Sequence, residues 1–471
     1  MRFVSTRQVR LKPDTMTGRE VRLDATTDVA SGFSRTSVTF AQALFHGLAP
    51  DGGLYVPESV PQWDAAALER LPALSLAHVG AALLAPYVEE LEPRELASLV
   101  ADALNFSIPL VEVEPNVFAL ELFHGPTLAF KDVGARTMAR LMSALHRGGD
   151  PFTILVATSG DTGGAVAHAF HDVPHTRVVI LYPDGRISPT QEAQLTMFNG
   201  DGANVCAFAV AGSFDDCQRL VKAAFADAAL AARVRLTSAN SINVGRLLPQ
   251  MIYYGHAVAE LLRSRGPAEA GRDARVVFCT PSGNFGNLTA GLMVKRSGFP
   301  IARFVAATNV NDVVPEYLVT GDFHPRASVQ TLANAMDVGN PSNFDRLLWL
   351  YGGRLDRIRA DLTGSRHDDR EVRRTIKRVY ESRGYLLDPH SAIAYLGITG
   401  SGDAGAAAPG DGAPRVFLAT AHPAKFAEIV EPIIGRAIPM PEPLADALRR
   451  PRDIRRIGAS LDAVRDVVLQ S

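Results

Sequence analysis

Five short segments of this chain set reactive or anion-binding residues where a fold could use them. In HGPTLAFKD (124–132), Lys131 follows Leu128, Ala129 and Phe130 and stands just before a helix expected to begin near Asp132. Lysine is ordinarily solvated, and at most helix starts it is surface charge. Here the helix N-terminus disfavours a cation and the apolar neighbours can desolvate the amine, so both effects lower its pKa. A lowered pKa is what a lysine needs to form a Schiff base with a carbonyl.

The segment TPSGNFGN (280–287) follows an apolar run and precedes a helical one. Gly283 and Gly286 let backbone N–H groups converge where the helix dipole adds partial positive charge, a cradle for phosphate. It lacks the G-K-[ST] ending of a nucleotide P-loop, and its glycine spacing is not the dinucleotide fingerprint. A tight strand-to-helix turn is the plain alternative. TSGDTGGA (158–165) repeats the arrangement, with Ser159, Thr162 and successive N–H groups in a turn suited to a carboxylate. In TSANSINVGR (237–246), Ser238, Asn240, Ser241 and Asn243 fit either a phosphate site or a helix N-cap cluster, and Asn243 and Arg246 share one face of the helix expected there. In FLATAHPAKF (417–426) a strand ends at Thr420, whose hydroxyl can meet a cofactor or merely the chain. One lysine among apolar neighbours and two strand–glycine turn–helix anion sites together point to a small cofactor bearing a phosphate and a substrate bearing a carboxylate. Pyridoxal phosphate answers that description.

These segments need rigid elements to hold them. At 471 residues the chain exceeds what one core usually serves, so two or three domains are expected. Hydrophobic residues at 47% and charged residues at 21% match an ordinary globular enzyme. A net charge of −2 without a Lys/Arg run speaks against nucleic acid as a partner. Three cysteines without C-x-x-C spacing, no apolar leader and no run of about 18 apolar residues lead to an expectation of a cytoplasmic protein with no membrane partner. The histidines are scattered without ligand spacing, so no metal is expected.

From residue 124 onward, apolar runs of strand length alternate with amphipathic segments, the pattern of an α/β protein with parallel sheets. Strands are expected at 152–157, 177–182, 204–210, 275–280, 304–308 and 415–420. Helices are expected at 132–146, 165–172, 190–198 and 287–297, with a long one over 243–263. Residues 1–115 read as an N-terminal extension domain with a polar insertion at 8–34, 116–435 as the catalytic part, and 436–471 as a C-terminal helical tail. The stretch 397–414 reads as a surface loop. Its Gly400, Gly402 and Gly405 have G-x-G-x-x-G spacing, but no strand precedes them as a dinucleotide site requires.

Seven segments, HGPTLAFKD, TSGDTG, NSINVGR, PSGNFGN, AATNVND, NAMDVGNPSNF and TAHPAKF, stand in the order seen in threonine synthases of the longer bacterial and fungal type. The chain resembles that family from about residue 36 to residue 435. The resemblance implies the fold type II of pyridoxal phosphate enzymes, tryptophan synthase β-like, with two α/β domains around a cofactor cleft plus an N-terminal extension. It implies conversion of O-phospho-L-homoserine and water to L-threonine and phosphate, by γ-elimination and β-addition; the assembly expected is a monomer or homodimer. By motif, Lys131 carries the cofactor and acts as general base at the substrate Cα. Gly283, Asn284, Phe285 and Gly286 resemble the cofactor-phosphate cradle, and Thr420 the hydroxyl facing the pyridine nitrogen. Ser159, Asp161 and Thr162 look like the turn for the substrate carboxylate, and Ser238, Asn243 and Arg246 are assigned to its phosphate. The 27 residues from 8 to 34 depart from the family pattern, as does the glycine-rich loop.

Overall fold

The computed structural model describes residues 1–8, 37–146, 148–158, 160–269, 275–400 and 413–470. The expected insertion at 8–34 lies outside these residues from position 9 onward, and the expected loop at 397–414 lies outside them from 401 to 412. The loop's first three residues are helical instead, because the helix Pro389–Thr399 continues through Gly397 to Thr399.

Among the described residues there are thirteen strands: β1 Phe3–Ser5, β2 Tyr55–Pro57, β3 Leu110–Glu114, β4 Val117–Glu121, β5 Phe152–Ala157, β6 Thr176–Pro183, β7 Val205–Val210, β8 Arg235–Thr237, β9 Val276–Pro281, β10 Ile301–Thr308, β11 Leu362–Arg366, β12 Arg415–Ala419 and β13 Arg455–Ile457. Beyond the small antiparallel pair β1–β2, they form two sheets. The larger has the order β11-β10-β9-β12-β4-β3 and the smaller β13-β7-β6-β5-β8. Every pairing in them is parallel except β3 with β4. The runs FTILVA, VCAFAV and VVFCTP are buried at every position. Such unbroken apolar strands arise because helices cover both faces of a parallel sheet, leaving no solvent side to be polar.

All six expected strands form. The expected helix over 243–263 is broken: Val244–Leu247 gives way to a 3-10 turn at Leu248–Gln250, and only then does the long helix Met251–Glu269 begin. Pro249 has no N–H to continue the α pattern and its ring crowds the preceding turn, which accounts for the break. Two short strands lacked a legible apolar pattern. β11, LTGSR, is partly polar, and β13 contributes Arg455, Arg456 and Ile457 to the edge of the smaller sheet, between the helices Glu442–Arg449 and Leu461–Leu469. The larger sheet already begins with β3 at Leu110, ahead of residue 116.

The N-terminal part is fastened to the rest by Arg346, a fully buried guanidinium. It donates to the carbonyls of Tyr55 at 3.0 Å, Ser241 at 2.8 Å and Ile242 at 2.7 Å, and to Asn343 Oδ1 at 2.7 Å. Four acceptors are what make a buried cation tolerable. Among the described residues, no helix is long and apolar enough to cross a membrane. The segments singled out for chemistry follow the carboxyl ends of β4, β5, β9 and β12, or, at 238–246, of β8. In open α/β sheets that edge is where ligands bind.

Candidate active site

Lys131 is the first residue of the helix Lys131–Leu145, one position earlier than expected. The loop before it is zipped to the segment after β12: Leu122 N–H donates to Ala419 O at 2.9 Å, Phe130 N–H to Thr420 O at 2.9 Å, and His422 N–H to Leu128 O at 3.0 Å. Leu128 takes a left-handed conformation, φ 58°, uncommon for a leucine and typical of places where function constrains the backbone. Thr127 donates from its N–H and its hydroxyl to Asp132 at 2.9 and 2.6 Å, so the residue after the lysine is pinned. Lys131 is densely surrounded yet keeps part of its surface accessible, as a group on a cleft wall does. Its Nζ lies 4.9 Å from the centroid of the Phe130 ring. Burial lowers its pKa; Asp161 acts against that shift, while Lys425 and Arg246 add to it.

Asp161 begins the helix Asp161–Phe170 after β5, four residues earlier than expected. Thr158 Oγ1 ties the intervening turn by accepting from Gly160 N–H at 3.1 Å and Gly163 N–H at 2.9 Å. Thr162 follows in the same turn, half-buried; Ser159 lies outside the described residues. The Asp161 carboxylate is paired with Lys425 Nζ, 2.8 Å from Oδ1, and accepts from Gln191 Nε2 at 3.3 Å. Burial alone would raise its pKa, but Lys425, Lys131 and His390 together hold it well below the usual carboxylate range.

Gly283–Phe285 form the turn between β9 and the helix Gly286–Arg296, whose first N–H groups have no intrahelical partners. Phe285 is left-handed, φ 60°. Asn284 is braced on both sides: its Nδ2 donates to Ser241 Oγ at 2.7 Å, its Oδ1 accepts from Ser342 N–H at 2.5 Å, and its carbonyl from Asn343 Nδ2 at 3.0 Å. A Cβ on Gly283 would stand 2.8 Å from Met336 Cα and 2.9 Å from Ala335 O, so only glycine fits there. Next to the turn, Asn287 Oδ1 accepts from the hydroxyls of Tyr253 at 2.5 Å and Tyr254 at 2.7 Å, while its buried Nδ2 has no partner.

The 238–246 segment divides. Asn243 commits its side chain to the chain itself, donating to Leu44 O and Ser238 O at 2.8 Å each and accepting from Gly245 N–H at 2.8 Å. Its hydrogen bonds are those of the N-cap alternative. Ser238 Oγ accepts from Asn240 N–H at 3.2 Å. Arg246 is 6% exposed; Nη1 donates to Ala239 O at 2.5 Å, while buried Nε has no partner. Burial pushes its pKa down to about 10, with Asp132 pulling the other way.

Thr420, buried directly after β12, completes the set. A largely buried amine, a neutral glycine turn at a helix N-terminus, a threonine hydroxyl, and the orphaned Arg246 Nε and Asn287 Nδ2 fit a cofactor with an aldehyde, a ring and a phosphate, and an anionic substrate beside it. Residues 104–420 match the family described as "Pyridoxal-phosphate dependent enzyme", residues 30–104 "Threonine synthase N terminus", and residues 397–468 "Threonine synthase, C-terminal". The threonine synthase of Haemophilus influenzae is 47% identical over 408 residues, 86% of this chain and 91% of that protein.

The chain belongs to the threonine synthase family.

The crystal structure of threonine synthase from Escherichia coli superposes with a TM-score of 0.83 at 41% identity, covering 92% of this chain and 97% of that one. The pyridoxal phosphate-bound threonine synthase from Brucella melitensis superposes with a TM-score of 0.84 at 36% identity, covering 99% and 98%. The fold is therefore that of the fold type II enzymes and the cofactor is pyridoxal phosphate. Family similarity reaches from residue 30 to residue 468, beyond the 36–435 span legible by motif. Sequence reading singled out neither Lys425 nor Asn287 nor Asn343, which the structure binds to Asp161, to Tyr253 and Tyr254, and to the Asn284 carbonyl. Lys425 had a usable signal: Ala424 and Phe426 flank it as Ala129 and Phe130 precede Lys131.

Proposed function

We propose that this enzyme converts O-phospho-L-homoserine and water to L-threonine and phosphate, with Lys131 as the lysine that bears the cofactor and then moves the substrate's protons. The observation that supports this reading is a lysine amine at a helix start whose pKa burial lowers, in a loop bonded through Phe130 N–H to Thr420 O, together with the braced neutral turn Gly283–Gly286 that leads into another helix. Pyridoxal phosphate, when bound, supplies an electron sink that acidifies the substrate carbons next to the amine. The N–H groups at Gly283, Asn284, Phe285 and Gly286 hold the cofactor phosphate. Thr420 presents a neutral hydroxyl to the ring nitrogen, leaving a weaker sink than a carboxylate there would, which suits elimination and replacement.

Lys131 Nζ takes the proton from Cα. Arg246, with Nε unpartnered, and Ser238 hold the phosphate of the substrate, which leaves Cγ as a proton is lost from Cβ; Cγ then gains a proton, water adds hydroxyl at Cβ, and Cα regains its proton. Asn243 supports this site by capping the turn that carries Arg246. The turn at Gly160–Thr162 receives the substrate carboxylate through its N–H groups and the Thr162 hydroxyl, with Ser159 assigned to the same role by motif, since the Asp161 carboxylate is already paired. Free, buried Cys206, Cys217 and Cys279 support a reducing, cytoplasmic setting. We read the enzyme as a monomer or homodimer without a nucleic-acid partner.

The test is a visible absorption spectrum with phosphate and threonine release followed on addition of O-phospho-L-homoserine. A cofactor band that disappears in Lys131→Ala, with turnover falling by about a thousandfold or more, is expected. Deamination of serine or threonine without phosphate release would overturn the substrate assignment.

A further inference from the structure

A second buried lysine sits in this site, and the mechanism above does not use it. Lys425 lies in the 3-10 turn Pro423–Phe426 that follows β12, and its side chain has no exposed surface. Its Nζ is 2.8 Å from Asp161 Oδ1 and donates to Thr127 O at 2.8 Å. The two contacts reach different parts of the molecule. Asp161 follows β5 of the smaller sheet, whereas Lys425 and Thr127 follow β12 and β4 of the larger one. Thr127 in turn pins Asp132, the neighbour of Lys131, and Gln194 Nε2 donates to the same Thr127 carbonyl at 3.3 Å. One ammonium thus joins the loop that ends in the reactive lysine to the carboxylate of the opposite wall.

We propose that Lys425 is a positioning residue for the reaction: across the boundary between the two sheets, it holds the Asp161 carboxylate and shares its charge, so that the Lys131 amine is left neutral enough to react. This rests on the assignment of Lys131 as the cofactor lysine.

The charged groups facing Lys131 are Asp161, Lys425 and Arg246. Those facing Asp161 are Lys425, Lys131 and His390, and the His390 Nδ1 is itself engaged by Asp388 at 2.7 Å. Asp132 faces Thr127, Lys425 and Arg136. Asp161 is the carboxylate whose field reaches Lys131, and it serves two ammonium groups. With Lys425 removed, its repulsion of the Lys131 ammonium is lost while the attraction of Asp161 remains, which favours the protonated amine, and that form cannot attack an aldehyde. With Asp161 removed, two buried cations face each other and Lys131 is driven neutral. A buried ion pair is a poor device for stability, because a well-packed neutral pair does as well, so a charge-setting role explains this one better than a structural role does.

The experiment is to strip the full-length protein of cofactor and measure the rate at which it captures pyridoxal phosphate, by absorbance, as a function of pH. The midpoint of that profile reports the neutral amine of Lys131, and Lys131→Ala is the blank. Lys425→Met is expected to move the midpoint to higher pH and Asp161→Asn to lower pH. For every pH unit that the midpoint moves, the rate below it should change about tenfold. Lys425→Arg should keep the wild-type midpoint. The double variant Lys425→Met/Asp161→Asn removes both members of the ion pair, strands neither of them, and should fold even where Lys425→Met does not. Its midpoint should lie below the wild type, since Asp161 acts on Lys131 more strongly than Lys425 does. Midpoints that stay in place, or that move the same way in both single variants, overturn the proposal while Lys131 keeps its role. A band that survives Lys131→Ala removes the Lys131 assignment itself and this inference with it.

Discussion

The turns after β5 and β9 look alike in sequence, TSGDTG and PSGNFG, and both lead into helices, yet they do opposite things with charge. The turn after β9 has no ionisable side chain at its helix start. Asn284 is held by Ser241, Ser342 and Asn343, Phe285 is forced left-handed, and the N-terminal field is left for an incoming anion. The turn after β5 places its own carboxylate at the helix start, and Lys425 has already neutralised it. A glycine turn before a helix is therefore an anion site only to the extent that its field is uncompensated. On the proposed reading the first is a receptor for phosphate, and the second mainly sets charge between two lysines, with N–H groups left over for a carboxylate.

Matched glycine substitutions give the largest expected separation. At Gly283 a Cβ meets backbone, Met336 Cα and Ala335 O, which cannot swing aside. Overpacking of this kind costs about 1–3 kcal/mol, and strain borne by the binding turn weakens cofactor affinity by about tenfold per 1.4 kcal/mol. At Gly160 the obstacle is the flexible amide of Gln191, and the cost is the backbone, φ 145°, worth about 1–3 kcal/mol for a side-chain-bearing residue. Gly283→Ala should lose cofactor affinity, whereas Gly160→Ala should retain the cofactor and show a raised KM. Titrating pyridoxal phosphate into each apoprotein decides it, and equal losses of affinity would erase the distinction.

Next in size is Arg246→Lys. The unpartnered Nε is one tine of a planar fork that lysine lacks. KM for the phosphorylated substrate should rise on the order of tenfold with the cofactor spectrum unchanged, a loss of about 1.4 kcal/mol. A changed spectrum with unchanged KM would move Arg246 from the substrate to the cofactor.

What could be read from sequence was what depends on local pattern. Continuous apolar runs gave all six expected strands, and glycine between strand and helix located both turns, because those signals are written in adjacent residues. Pairings between distant segments were not legible. That Asp161 meets Lys425, or that Asn343 and Ser241 brace Asn284, depends on how two sheets are set against each other. Asn243 shows the converse limit. Its motif suited a phosphate ligand and an N-cap equally, and only its bonds to Leu44, Ser238 and Gly245 separate the two. β13 was missed because an edge strand of Arg455, Arg456 and Ile457 has no alternation to detect.

The smallest expected effect is in the pH dependence of stability, where the two turns should carry opposite signs. Behind the Gly283 turn, Asp337 accepts from Thr331 Oγ1 at 2.7 Å, Thr331 N–H at 3.0 Å and Asn309 Nδ2 at 2.8 Å, yet burial outweighs these donors and pushes its pKa up to about 6. A carboxyl whose pKa is higher folded than unfolded binds its proton more tightly in the native state. Its contribution to stability is therefore greatest below about pH 4, declines as the pH rises to about 6, and is level above that. Asp161 is the reverse case: its pKa is depressed, so its contribution is complete above about pH 4 and is lost as the pH falls through the folded value. Melting temperatures of the wild type, Asp337→Asn and Asp161→Asn, taken from about pH 3.5 to about pH 8, isolate each group by difference. Asp337→Asn should gain on the wild type between about pH 4 and pH 6, and the deficit of Asp161→Asn should shrink below about pH 4. Differences that run in the same direction with pH would mean that the backing of the phosphate turn and the start of the neighbouring helix are electrostatically equivalent, and the contrast between them would then rest on backbone geometry alone.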